Sequence, residues 1–362
     1  MSKLKWSQQW WSAPSTYTPG KSAEEVARDY DISPERIIKL GSNENALGPS
    51  PRAVEAIKRH LGEISVYPAP KYLELKSAIA RYVGSSVERI VVGNGSDEVL
   101  STLVRCLLTP GDEAIIPVPT YSYYEVIVEG RKGACIYVPR REDFSIDVQR
   151  ITSAITDKTK LIFVCAPNNP TGNAMEKAML RRLLESTSAF ILLDEAYAEF
   201  ASESHVEFVN EFENLVVFRT FSKAFGLAGL RLGYAVLNEE LGRCYGKLML
   251  SFSVNQLAVT GGIAALSDRG FLERTQSMVV QGREFLRKNI PLKTFPSEGN
   301  FIFVDTSPYT SSELFRYLLR KGIIVRNCDT FRGCSDTHVR ITVGQPWQNA
   351  AVVDAIKEFV TT

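Results

Sequence analysis

Three short apolar runs in this chain each stop on a cluster of polar residues that could do chemistry together. KLIFVCA runs into Pro167-Asn168-Asn169-Pro170-Thr171-Gly172, AFILLD into Asp194-Glu195-Ala196-Tyr197, and LVVFRT into Thr220-Phe221-Ser222-Lys223. A carboxylate such as Asp194, closing an apolar run, is costly to bury unless it has a partner. Lys223 offers an amine, and Arg231, a little further on, a guanidinium that can grip an oxyanion with two parallel hydrogen bonds. A fourth run, ERIVV, passes through Gly93-Asn94-Gly95 to Ser96 and Asp97. There a helix pattern begins, and the unpaired N–H groups of its first turn make an anion site suited to phosphate. Thr220 and Ser222 add hydroxyl donors.

Such run ends converge only if the runs are strands of one sheet. Between about 88 and 236, almost wholly apolar runs (EAIIPVP, ACIYVP, KLIFVCAP, FILLDEA, NLVVFRT) alternate with amphipathic stretches such as MEKAMLRRLLES. That alternation predicts an α/β fold with a mainly parallel sheet covered on both faces, and ligands then bind beyond the carboxyl ends of the strands. After about 250 the pattern changes. A long helix, FLERTQSMVVQGREFLRKN, is followed by FIFVD, the helix SSELFRYLLRKG, IIVRN, HVRITVG and the helix NAAVVDAIKEFV. Strands interleaved with helices there predict a smaller α+β unit. Ser311 is expected to cap the middle helix and Gly322 to end it. Upstream, residues 1–20, with Trp6, Trp10 and Trp11, suggest an arm that packs on a partner subunit. Ser22 and Glu25 have capping-box spacing, RIIKL reads as a short strand, and GSNENALGPSP as a loop into a helix near Pro51. The expected division is 1–45, arm and part of the small unit; 46–255, large unit; and 256–362, small unit.

Length and composition fit this organisation. A chain of 362 residues, 44% hydrophobic and 23% charged, can bury two cores. A formal net charge of +1 favours neither nucleic acid nor an anionic membrane. The six cysteines form no C-x-x-C pair and the chain has three histidines, so no metal site is expected. The opening residues lack a signal peptide's apolar core and no run is long enough to span a membrane, which places the protein in the cytoplasm.

A phosphate cradle, an amine whose proton affinity is lowered by neighbouring cations, and a carboxylate at depth together describe a site for pyridoxal phosphate. The motifs P-N-N-P-T-G, D-E-A-Y, S-K-A-F-G and G-L-R-L-G-Y resemble those of the fold-type I aminotransferases of class I/II, and the likeness runs from about residue 17 to the end. The resemblance implies a large domain built on a seven-stranded-type sheet and the following roles. Lys223 holds the cofactor as a Schiff base and moves the proton, Asp194 pairs with the ring nitrogen, and Asn169 and Tyr197 hold the ring hydroxyl oxygen. Tyr121 stacks on the ring. Ser96, Asp97, Thr220, Ser222 and Arg231 hold the phosphate. Tyr67, in S-V-Y-P, reaches the phosphate of a neighbouring subunit, which implies a homodimer with shared active sites.

The opening Y-T-P-G-K-S-A-E-E-V-A-R, K-L-G-S-N-E-N-A-L-G-P-S-P and the ending I-I-V-R-N…V-R-I-T-V-G resemble the histidinol-phosphate aminotransferases. There the amino donor is a phosphate ester and the acceptor 2-oxoglutarate, and the reaction belongs to histidine biosynthesis. Arg340, inside an apolar strand pattern, is expected to face the site, with Arg326 as a second guanidinium on the substrate phosphate, Arg332 as a further candidate, and Tyr17 and Asn169 as further substrate contacts. Two departures stand out: Ala46 where the subfamily carries proline, and the stretch Asn327–His338 with its extra Arg332. Threonine-phosphate decarboxylases and aromatic amino-acid aminotransferases share fold and cofactor and are the rival readings. A non-catalytic cofactor-binding regulator is a more distant one.

Overall fold

The computed structural model describes residues 20–362. Tyr17 and the tryptophan-bearing arm lie outside the described residues.

The strands, in chain order, are β1 (Ile38–Lys39), β2 (Ile90–Asn94), β3 (Glu113–Val118), β4 (Ala134–Pro139), β5 (Thr159–Cys165), β6 (Phe190–Asp194), β7 (Leu215–Thr220), β8 (Leu232–Val236), β9 (Lys293–Thr294), β10 (Phe301–Asp305), β11 (Ile323–Ile324), β12 (Arg326–Asn327) and β13 (His338–Thr342). Seven of them form one sheet in the order β2-β8-β7-β6-β5-β3-β4. β8 runs antiparallel to both its neighbours, and the other ladders are parallel. The near-continuous apolar runs are explained by burial on both faces. Residues of one parity, such as Ile162, Leu193 and Val217, pack in one core, and those of the other, such as Phe163, Leu192 and Phe218, in a second.

The register sets the chemistry in place. Cys165 pairs with Asp194, and Asp194 with Phe218, so β5 and β6 end level and β7 runs two residues further, to Thr220. β2 ends beside them and delivers helix Ser96–Leu107.

A third core lies under a four-stranded antiparallel sheet, β12-β13-β10-β9, with β1 and β11 paired in parallel beside it. Ile38 and Leu40 pack in that core with Leu314, Leu318, Val339 and Ile341. IIVRN, read as one strand, is two: Ile323–Ile324 pairs with β1, and Arg326–Asn327 with β13.

Helix Gln256–Leu266 packs on helices Pro51–Arg59 and Leu73–Val83, and Ala258 and Ala265 share the core of the large sheet. Thr310, not Ser311, caps helix Ser311–Arg320, accepting from the N–H of Glu313 while the Glu313 carboxylate accepts from the N–H of Thr310. Among the described residues no helix is long and apolar enough to cross a membrane.

Candidate active site

The strand ends open into a cavity of about 260 Å³ between the two sheets. Its wall includes Ser96, Asp97, Tyr121, Asn169, Asp194, Tyr197, Thr220, Ser222, Lys223, Arg231, Arg326 and Arg340. Tyr67 is not in that wall.

At the floor, Asp194 ends β6 and opens onto the cavity. The hydroxyl of Tyr124 donates to its Oδ2 at 2.7 Å and the N–H of Ala196 to its Oδ1 at 3.0 Å. Burial nevertheless pushes the carboxyl up to about 6. A carboxylate held at depth by two donors and still short of positive charge fits a cationic ring nitrogen.

Lys223 follows β7 and donates to the carbonyl oxygen of Ser42 at 3.0 Å. Burial, and then the nearby positive charge of Arg340, lower its ammonium to about 8. The neutral amine, the nucleophile a carbonyl requires, is therefore far more populated near neutrality than in an ordinary lysine.

A cradle for phosphate lies at one end of the cavity. Helix Ser96–Leu107 begins at Gly95 with no side-chain cap, leaving its first-turn N–H groups for a ligand. Arg231, with φ of +52°, brings its Nη2 to 3.4 Å from Asp97 Oδ2. Two glycines make this approach possible: a Cβ on Gly95 would lie 2.7 Å from Arg231 Nη2, and one on Gly233 would lie 2.1 Å from the nitrogen of Ser96. The buried Thr220 and Ser222 complete the cradle. The donor set suits a phosphate dianion.

Tyr197 is buried, which raises its phenol, and its oxygen accepts from Asn43 Nδ2 at 3.0 Å. Asn169 Oδ1 accepts from Arg340 Nη1 at 2.5 Å. Of the three tyrosines at 121–124, Tyr121 lines the cavity, whereas Tyr124 turns into the core to hold Asp194.

Arg326 and Arg340 line the same cavity. They face each other directly across the β12–β13 ladder and are 8% and 5% exposed. Arg340 also donates to the carbonyl oxygen of Gly41, and its Cζ lies 5.4 Å from the centre of the Phe301 ring. Two guanidiniums set opposite each other at a cavity wall can offer an oxyanion several charge-assisted hydrogen bonds. Arg332 does not join them. Its guanidinium is engaged outside the cavity by Glu125 and Tyr137.

Several residues of this site escaped the reading of the sequence. Ser42 and Asn43 line the wall, and Asn43 ties Tyr197 to Thr342, whose hydroxyl donates to Asn43 Oδ1 at 2.9 Å. Behind the site, Glu195 accepts from Arg219 Nη2 at 2.8 Å and from the N–H of His205. Burial pushes that carboxyl up, but the charge of Arg219 and the His205 bonds outweigh it and hold it at about 2. The D-E-A-Y motif thus alternates about the strand end: Asp194 faces the cavity, and Glu195 anchors the turn to the buried Arg219.

A doubly wound sheet with an amine, a carboxylate and a phosphate cradle at its strand ends defines a transferase of the fold-type I class. The chain belongs to the family "Aminotransferase class I and II", which it matches over residues 35–356. It is 46% identical over 342 residues to the histidinol-phosphate aminotransferase of Methanosarcina mazei, covering 94% of this chain and 93% of that protein. Histidinol-phosphate aminotransferase 1 of Archaeoglobus fulgidus is 43% identical, covering 90% of this chain and 99% of its own. Among solved structures, the histidinol-phosphate aminotransferase of Sinorhizobium meliloti in complex with pyridoxal-5'-phosphate superposes with a TM-score of 0.89 at 25% identity, covering 99% of this chain and 98% of that one.

Proposed function

We propose that this chain moves the amino group of histidinol phosphate to 2-oxoglutarate, giving imidazole-acetol phosphate and glutamate, with pyridoxal phosphate as cofactor, in histidine biosynthesis. The observation that carries the choice of donor is the buried pair Arg326 and Arg340, set opposite each other on β12 and β13 at the cavity wall. A single carboxylate needs one guanidinium; a phosphate dianion can use two. The relatives named above carry the same activity in their names.

Bound pyridoxal phosphate supplies an electron-withdrawing ring that lets the C–H bond beside the substrate nitrogen break. Ser96, Asp97, Thr220, Ser222 and Arg231 would hold its phosphate, and Tyr121 would cover its ring. Asp194 would pair with its ring nitrogen, a pairing that the buried setting strengthens. Asn169 and Tyr197 would orient the ring through its hydroxyl oxygen. Lys223 Nζ would hold the cofactor and move the proton at the substrate carbon that bears the nitrogen. Arg340 and Arg326 fix the far end of the donor, so that carbon is presented to Lys223 in one orientation.

Donor and acceptor use one site in turn, so initial rates against histidinol phosphate at several fixed 2-oxoglutarate concentrations are expected to give parallel reciprocal plots, with glutamate as product. Intersecting plots, or no glutamate, would contradict the two-step transfer.

The working form is a homodimer in the cytoplasm. Six cysteines without a disulfide suit a reducing compartment. Tyr67 is 78% exposed, stacks on Phe252 at 4.7 Å and sits among the exposed Ile64, Val66, Leu73 and Leu250. An exposed apolar patch of that kind marks an interface, and Tyr67 would cross it to the other subunit's phosphate. Mixing inactive Lys223→Ala chains with inactive Tyr67→Ala chains is expected to restore activity, because each mixed dimer holds one complete site, with Lys223 and Arg231 from the Tyr67→Ala chain and Tyr67 from the other. Mixed dimers that stay inactive would rule out sharing.

A further inference from the structure

Between β12 and β13 the chain leaves the small unit, touches the large one and returns. This stretch, Cys328–Cys334, is drawn into tight turns: the N–H of Phe331 donates to the carbonyl of Cys328 at 3.0 Å, and that of Cys334 to Phe331 at 2.9 Å. Phe331 turns inward. It lines the cavity and lies beneath Arg326, whose Cζ is 5.3 Å from the ring centre. Arg332 turns outward onto the large unit. Its Nε donates to Glu125 Oε2 at 3.2 Å, and its Cζ sits 4.1 Å over the ring of Tyr137. The hydroxyl of Tyr137 donates to that same carboxylate oxygen at 2.9 Å. Gly333, with φ of +86°, lays the segment against the backbone of Val118 and Pro119, where a Cβ would come within 3.1 Å of the Pro119 nitrogen. That backbone leads straight into Tyr121 in the cavity wall.

We propose that Arg332, Glu125 and Tyr137 form a clasp between the two units, and that this clasp sets affinity for a phosphorylated donor by holding Phe331 under Arg326. The proposal rests on the reading of the Arg326–Arg340 pair as a phosphate site. Arg332 is a positioning residue: it touches neither cofactor nor substrate. With the clasp closed, Arg326 has a fixed aromatic platform and its guanidinium is ordered before the donor arrives. With the clasp open, the segment that carries Phe331 must be ordered as the donor binds, at a cost in binding. Arg332 itself bonds Glu125 and covers Tyr137, whereas Lys223 bonds Ser42, so the chemical step is left untouched.

The test is a double-mutant cycle on the cofactor-loaded enzyme, with Arg332→Ala, Glu125→Gln, both together, and Arg332→Lys. A half-exposed ion pair contributes little alone, and the ring contact adds to it, so each single substitution is expected to raise KM for histidinol phosphate about tenfold. The kcat and the glutamate half-reaction should stay within about twofold, the double variant should be no worse than either single one, and Arg332→Lys should recover most of the loss. Equal damage to glutamate, a fall in kcat at unchanged KM, or losses that multiply in the double variant would overturn the clasp. Should the wild type ignore histidinol phosphate, the substrate reading fails by itself. The clasp is then judged by inorganic phosphate as an inhibitor of the glutamate half-reaction: its inhibition constant must rise about tenfold in Arg332→Ala, and an unchanged constant would overturn the proposal.

Discussion

Lys223→Ala is expected to keep its fold and still bind pyridoxal phosphate, yet to lose turnover by about ten-thousandfold or more, since one side chain supplies both the covalent hold and the proton transfer. Cofactor binding should survive because the cradle around Ser96, Thr220, Ser222 and Arg231 does not depend on the amine. Borohydride treatment of the wild-type holoenzyme should attach the cofactor to the peptide containing Lys223, and the variant should carry no label. Labelling on another lysine would remove Lys223 from the role. Loading of the cofactor-free protein should also follow the state of the amine. Burial and Arg340 lower the ammonium from 10.5 to about 8, so the reactive neutral form grows as pH rises through about 8. A lysine at its ordinary value would be almost wholly protonated there. The rate of covalent loading is expected to rise with a midpoint near that pH, and Arg340→Ala should move the midpoint upward.

The second large effect concerns the two arginines. Each guanidinium–phosphate contact contributes roughly 1.5–3 kcal/mol. Arg326→Ala is expected to cut kcat/KM for histidinol phosphate by about ten- to a hundredfold, and to change the glutamate half-reaction by no more than about threefold. Arg340→Ala should damage both donors by about a hundredfold, because glutamate must place a carboxylate on the same group. Arg340 is tied to Asn169 and to Gly41, so its removal also loosens the loop that supplies Ser42. Arg326 rests on Phe331. An Arg326→Ala enzyme with an unchanged ratio between the two donors would show that the phosphate is held elsewhere.

Much of this site could be read before any coordinates because its parts are local. Lys223, Asp194 and Asn169 each follow an apolar run directly, and neighbouring strand ends bring them together. Thr310 was also legible: Thr310 and Glu313 have the capping-box spacing, whereas three places after Ser311 stands Leu314. What stayed hidden depends on distance along the chain or on register within a helix. Asn43 acts through Thr342 and Tyr197, both far from it in sequence, and G-S-N-E-N has no period to single it out. Tyr121 was singled out only by the resemblance, and the hold of Tyr124 on Asp194 depends on where helix Tyr123–Glu129 starts, which the run of tyrosines does not show. Helix Gln256–Leu266 is apolar nearly all round, so its pattern shows burial without showing which core receives it. Arg332 had been a candidate for the phosphate because charge alone suggests it. Its contacts with Glu125 and Tyr137 turn it the other way.

The most direct measurement is a single-turnover comparison on the cofactor-loaded wild type. Histidinol phosphate, unphosphorylated histidinol, histidine, phenylalanine, threonine phosphate and glutamate would each be mixed with the enzyme, with the cofactor absorbance followed in time. Histidinol phosphate is expected to convert the cofactor to its amine form with an efficiency at least about a hundredfold above that of histidinol or histidine, the worth of roughly two charge-assisted bonds after desolvation. Faster conversion by phenylalanine, or release of carbon dioxide from threonine phosphate at a higher rate, would contradict the assignment of histidinol phosphate as the donor.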